Sequence, residues 1–103
     1  MMKASRMDIL TKIARGRLLA HSRDAVKKAI QAKRLMFQAD GQAEYTEKNG
    51  TKKVYSIDDL ASFLWLKMSS ELRGGNLASF DISPDNIGAI LRDLKEKQGG
   101  HSK

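Results

Sequence analysis

The pair Asn49-Gly50, near the middle of this 103-residue chain, constrains its folding more than any other feature. Both residues tolerate positive φ, so the pair is the strongest short signal for a hairpin turn. The flanks over Gln42 to Ser56 suit two strands. Folding about a two-residue turn sets Tyr45 opposite Val54 and Glu47 opposite Lys52, an apolar pair followed by an opposite-charge pair. Lys48, Lys52 and Lys53 then crowd the tip.

Helical patterns lie on both sides of this hairpin. Ile9 and Ile13, with Met7 and Leu10, predict a helix from Ala4 to Ala14. Gly16 interrupts it, and Arg17 to Ala20 reads as a short second helix. His21-Ser22 reads as a break, with Ser22 as N-cap and Asp24 suiting the positive helix end. A long helix follows over about Arg23 to Gln38, on the apolar residues Ala25, Val26, Ala29, Ile30, Ala32, Met36 and Phe37, with Gly41 as its stop. After the hairpin, Ser56 caps a helix that runs to about Arg73, with Asp58 and Asp59 in its first turn. Leu60, Phe63, Leu64 and Met68 form its stripe, and Trp65 and Leu66 widen the apolar surface. Gly74-Gly75 ends this helix, and Asn76 to Ile82 is a loop or one short turn. Ser83-Pro84 opens the last helix, where Ile87, Ile90, Leu91 and Leu94 repeat at i, i+3, i+4, i+7. The expected fold is mainly α with one β-hairpin, an α+β chain ordered helix, short helix, helix, hairpin, helix, helix. Residues 1–97 form one domain, and 98–103 a polar, disordered tail.

Charge divides the chain unevenly. Met1 to Asp40 carries ten Lys or Arg against three Asp, while Gly41 to Lys103 carries nine of each sign, so the whole net charge of +7 belongs to the front end. Such segregation points to an anionic partner for that end. The absence of Cys excludes disulfides and thiolate metal sites. No apolar run approaches the ~20 residues that span a bilayer, and no signal peptide is read. The expected location is cytoplasmic, without membrane association.

At about 100° per residue, Arg23, Lys27 and Arg34 fall within roughly 40° of one another on the third expected helix, flanked by Gln31. Arg and Gln suit bidentate reading of guanine and adenine, and lysines at a hairpin tip suit phosphates. The run Ser22-Arg23-Asp24-Ala25-Val26-Lys27-Lys28-Ala29-Ile30, followed by Tyr45, Gly50, Val54 and Tyr55, resembles the recognition-helix-plus-wing pattern of small winged-helix transcription regulators. The resemblance covers residues 7–56. It implies double-stranded DNA as partner, with Arg23, Lys27, Gln31, Arg34, Lys48, Lys52 and Lys53 in contact, and residues 57–97 as supporting helices. Leu77 to Leu91 also looks like half of a helix-turn-helix, but Asp85 and Asp93 would face phosphates, so it reads as a packing helix.

The expected function is that of a sequence-specific DNA-binding regulator acting as a homodimer, with Phe63, Trp65 and Leu66 as dimer contacts. Two alternatives stand beside it. One is a small protein-binding inhibitor or adaptor of a nucleic-acid enzyme. The other is an RNA-binding accessory protein, for which only Tyr45 and Tyr55 offer stacking surfaces. His21 and His101 lack a third ligand, and no nucleophile, base and orienting group assemble, so neither metal, cofactor nor enzymatic activity is expected.

Overall fold

The structure, a computed structural model, describes residues 6–73 and 75–99. Its elements are α1 (Arg6–Gln31), β1 (Leu35–Phe37), β2 (Gln42–Thr46), β3 (Lys52–Ser56), α2 (Ile57–Ser70), a 3-10 turn (Leu77–Phe80) and α3 (Pro84–Gly99). The chain is thus α+β and mainly helical, with a three-stranded antiparallel sheet where a two-stranded hairpin was expected.

The front end departs most from expectation. Three helices were predicted before the hairpin, yet one helix of 26 residues runs through both Gly16 and His21-Ser22. Gly16 costs about 1 kcal/mol relative to Ala, which its helix-forming neighbours Ala14, Arg15, Arg17 and Leu18 outweigh. Ser22 does not cap. Its hydroxyl donates to the Leu18 carbonyl at 2.8 Å, one turn back, and is satisfied inside the continuous helix. The helix ends seven residues before Gln38. Lys33 takes φ 63, its N–H donates to the Ile30 carbonyl and that of Arg34 to the Ala29 carbonyl, which closes a Schellman motif. Met36 and Phe37, assigned to the helix by spacing, belong to β1 instead. Gly41 lies in the β1–β2 turn at φ 70. Lys33→Gly relieves the left-handed penalty and is expected to stabilise the protein by about 0.5–1 kcal/mol, read as a rise in urea midpoint. A fall in midpoint would contradict this account of the helix end.

The sheet order is β1-β2-β3, with Leu35 opposite Tyr45, and Tyr45 opposite Lys53. The hairpin register is therefore one residue from the expected one. The turn uses three residues, Lys48-Asn49-Gly50. The Gly50 N–H donates to the Glu47 carbonyl at 2.9 Å, and the Glu47 N–H to the Thr51 carbonyl at 2.8 Å. Only Gly50 takes positive φ, at 88, while the Asn49 side chain accepts from the Thr51 N–H. This is the arrangement of a type I turn with a bulge. One residue of slip exchanges the faces, so Lys53 shares a face with Tyr45, and Lys52 lies on the other.

Behind the hairpin the helices form as expected, with shifted ends. The Ser56 hydroxyl accepts from the Asp59 N–H at 3.1 Å, and α2 closes on Glu71 rather than Arg73. Gly74 lies outside the described residues. The buried Ser69 hydroxyl accepts from the Leu77 N–H and anchors the 3-10 turn. In α3, Ile87, Ile90, Leu91 and Leu94 are all buried. This helix includes Gln98 and Gly99, which were assigned to the tail; 100–103, including His101, lie outside the described residues.

The core joins Val26 of α1, Leu35, Ala43 and Tyr45 of the sheet, Leu60 and Leu64 of α2, Leu77, and the α3 stripe. Phe63 meets the Tyr45 ring edge-on and stacks on Tyr55, at centroid distances of 5.7 and 5.4 Å. Trp65 donates its indole N–H to the Ile82 carbonyl at 2.7 Å. Two of the three side chains expected at a dimer contact, Phe63 and Trp65, are thus engaged within the chain. Of the three, Leu66 alone is well exposed, at 62%. No helix among the described residues is long and apolar enough to cross a membrane.

Candidate nucleic-acid interface

The expected basic stripe is divided. Arg23 and Lys27 lie on α1, but Arg34 follows the helix end and so leaves the stripe. Arg23 is half-buried and forms an ion pair with Asp93 of α3. Asp93 also meets Lys97 at 3.4 Å. The hydrogen bond from Arg23, aided by Lys97, holds the Asp93 carboxyl below its ordinary range. Arg34 turns onto the sheet: its Nη2 donates to the Tyr45 hydroxyl at 3.2 Å, and its guanidinium carbon stands 5.7 Å from that ring's centroid.

These side chains line two grooves beside the C-terminal half of α1. The first, of about 310 Å³, lies between α1 and α3 and gathers Arg23, Lys27, Gln31, Lys97 and Gln98 over Ile30 and Leu94. The second, of about 210 Å³, lies between α1, the hairpin and α2, and gathers Arg34, Lys48 and Lys67 over Val26, Leu35 and Leu64, with Glu71 at its margin. The α1 residues that line the two lie roughly 140° apart around the helix. Lys28 and Lys33 are exposed nearby, and Lys28 pairs with Asp24 at 3.2 Å. Lys52 and Lys53 line neither groove. A larger cleft of about 750 Å³ beside Gly41 and Ile57 carries Arg92 and Lys95 against Asp58 and Glu96, so it favours neither sign of charge. Among the described residues no group of His, Cys, Asp and Glu is arranged to hold a metal.

Lys67 and Lys97 were missed by the sequence reading. They belong to the charge-balanced half of the chain, and only the packing of α2 and α3 against α1 brings them to the basic end. Their nearest local signal was the Lys95 and Lys97 pair in the last turns of α3, a common placement at a negative helix end.

Asp93→Asn removes the carboxylate between Arg23 and Lys97. The variant is expected to be less stable at neutral pH. In the parent, the lowered Asp93 pKa contributes stability above the ordinary Asp pKa of about 3.9, lost as pH falls through the lower folded value. Thermal melts from pH 7 to pH 2 should show the parent's advantage over the variant shrinking on acidification. An advantage that stays constant or grows on acidification would remove Asp93 from this role.

Comparison with protein-family models, with curated proteins and with solved structures yields no match.

Proposed function

We propose that this chain binds duplex DNA through the two grooves flanking the C-terminal half of α1, and that it acts as a transcriptional regulator by occupying an operator. The observation that carries this reading is the convergence of cations from four elements on one end of one helix. Lys27 and Lys97 rim one groove, and Arg34, Lys48 and Lys67 the other. In this reading the end of α1 and the hairpin after it take the parts that recognition helix and wing take in winged-helix regulators. The lysines sit on phosphates and set the register. Gln31, exposed on the last turn of α1, reaches a base edge, where its amide suits adenine. Arg23 is committed to Asp93 and Arg34 to Tyr45, so they shape the surface more than they read sequence.

The test pairs two double variants, Lys27→Ala with Lys97→Ala, and Lys48→Ala with Lys67→Ala. Each removes two cations, and each is expected to lower the slope of log affinity against log salt by about 1.8. Circular dichroism checks that the fold is retained. Gln31→Ala is expected to narrow the gap between specific and random duplex by about 1–3 kcal/mol. Duplex binding with an unchanged salt slope in both double variants would overturn the assignment. So would a partner that persists after nuclease treatment and competes with DNA for the same lysines.

A further inference from the structure

The first half of α1 exposes apolar side chains that nothing in the described fold covers. Ile9, Leu10 and Ile13 are 50%, 54% and 48% exposed. They begin a regular seam. Ile9, Ile13, Gly16 and Ala20 follow one another at intervals of four, three and four, the spacing of a coiled-coil stripe, and all four are exposed. The body of the protein packs on the other side of the helix, against Leu18, Leu19, Ser22, Val26, Ala29 and Ile30. At about 100° per residue the two faces stand roughly 130° apart. A helix laid along the front of the seam, over Ile9 to Ala20, therefore meets no part of the described fold.

The seam is two large residues followed by two small ones, and that order fits its own reverse. We infer that α1 pairs with α1 of a second copy, antiparallel, with Ile9 over Ala20 and Ile13 over Gly16 at both ends of a two-fold contact. Gly16 supports a second copy specifically. A side chain built there meets nothing within 4 Å among the described residues, so no contact among them requires glycine, although glycine weakens the helix. A partner helix with Ile13 at that level requires the notch. Leu10 flanks the seam. Half of each of three large side chains from two copies, with Gly16, Ala20 and the stems of Lys12 and Arg17, buries about 1,000 Å², the lower limit for a specific interface. The exposed Lys12 and Arg17 repel their counterparts, so added salt tightens the pair. The contact does not depend on the proposed DNA binding, and its test uses no DNA.

Sedimentation equilibrium of the full chain is expected to show a monomer–dimer equilibrium that shifts toward dimer from low to moderate salt. Gly16→Leu, which fills the notch yet favours the helix, and Ile13→Glu are each expected to weaken the dimer at least about tenfold, or 1.4 kcal/mol, with the helical spectrum unchanged. The chain has no cysteine, so cross-linking reports orientation without background. Ile9→Cys combined with Ala20→Cys should yield a disulfide dimer, and Ile9→Cys alone should not, since its two copies stand about 16 Å apart along the helices. A parent that stays monomeric at millimolar concentration, a dimer indifferent to both seam variants, or ready cross-linking through Ile9→Cys alone would each overturn the inference.

Discussion

Leu60→Ala is expected to lower the free energy of unfolding by about 2–5 kcal/mol, the largest stability loss among the changes considered. Leu60 is 0% exposed on α2, in the cluster that joins the sheet to α3. Removing its side chain leaves a cavity among residues held by three elements, where collapse is difficult. A domain of this size has about 5–15 kcal/mol to lose, so the melting temperature should fall by on the order of 10–20 °C. Leu66→Ala, six residues on and 62% exposed, should change stability by no more than about 0.5 kcal/mol. Trp65 is the only tryptophan and is hydrogen-bonded to Ile82, so its emission follows both melts. Equal melting of the two variants would show that α2 does not present the face described.

Duplex affinity is expected to fall roughly 500-fold between 50 and 200 mM salt, if the five cations of the two grooves other than Arg23 each neutralise one phosphate. The slope of log affinity against log salt is then about −4.5. This is a prediction about number as much as sign. The sequence places its net charge of +7 entirely in the first 40 residues, whereas three of these five side chains, Lys48, Lys67 and Lys97, come from the remainder. A surface limited to the front end would give a shallower slope and would not respond to Lys67→Ala or Lys97→Ala. Mobility shifts across four salt concentrations distinguish the two cases. A flat profile would remove phosphate contact from the account altogether.

The elements legible in the sequence are those whose ends and faces are set by neighbouring residues. Ser56 caps α2 through the Asp59 N–H, and α3 buries the stripe its spacing specified. Asn49-Gly50 marked the hairpin but not its register, because a two-residue and a three-residue turn share the same glycine. The front helix was misread for a related reason. Gly16 and Ser22 are breakers only when nothing outweighs them; here good helix formers surround Gly16, and the Ser22 hydroxyl returns to Leu18. Its true end at Lys33 carries no Gly or Pro, so nothing local announced it. Five of the residues lining the two grooves, Arg23, Lys27, Gln31, Arg34 and Lys48, were legible as one candidate site. The rest of it was not, because the Arg23–Asp93 pair joins residues 70 apart and Lys67 and Lys97 arrive by tertiary packing.

The unbroken course of α1 through Gly16 and Ser22 makes the helix a ruler. The midpoint of the inferred pair falls between residues 14 and 15, so two copies would hold their Lys27 side chains about 37 Å apart along the common axis. One turn of B-form duplex measures about 34–36 Å. Paired copies would thus space their Lys27 side chains by about one duplex turn along the helix axis, and a kink anywhere between Ala20 and Lys27 would change that spacing.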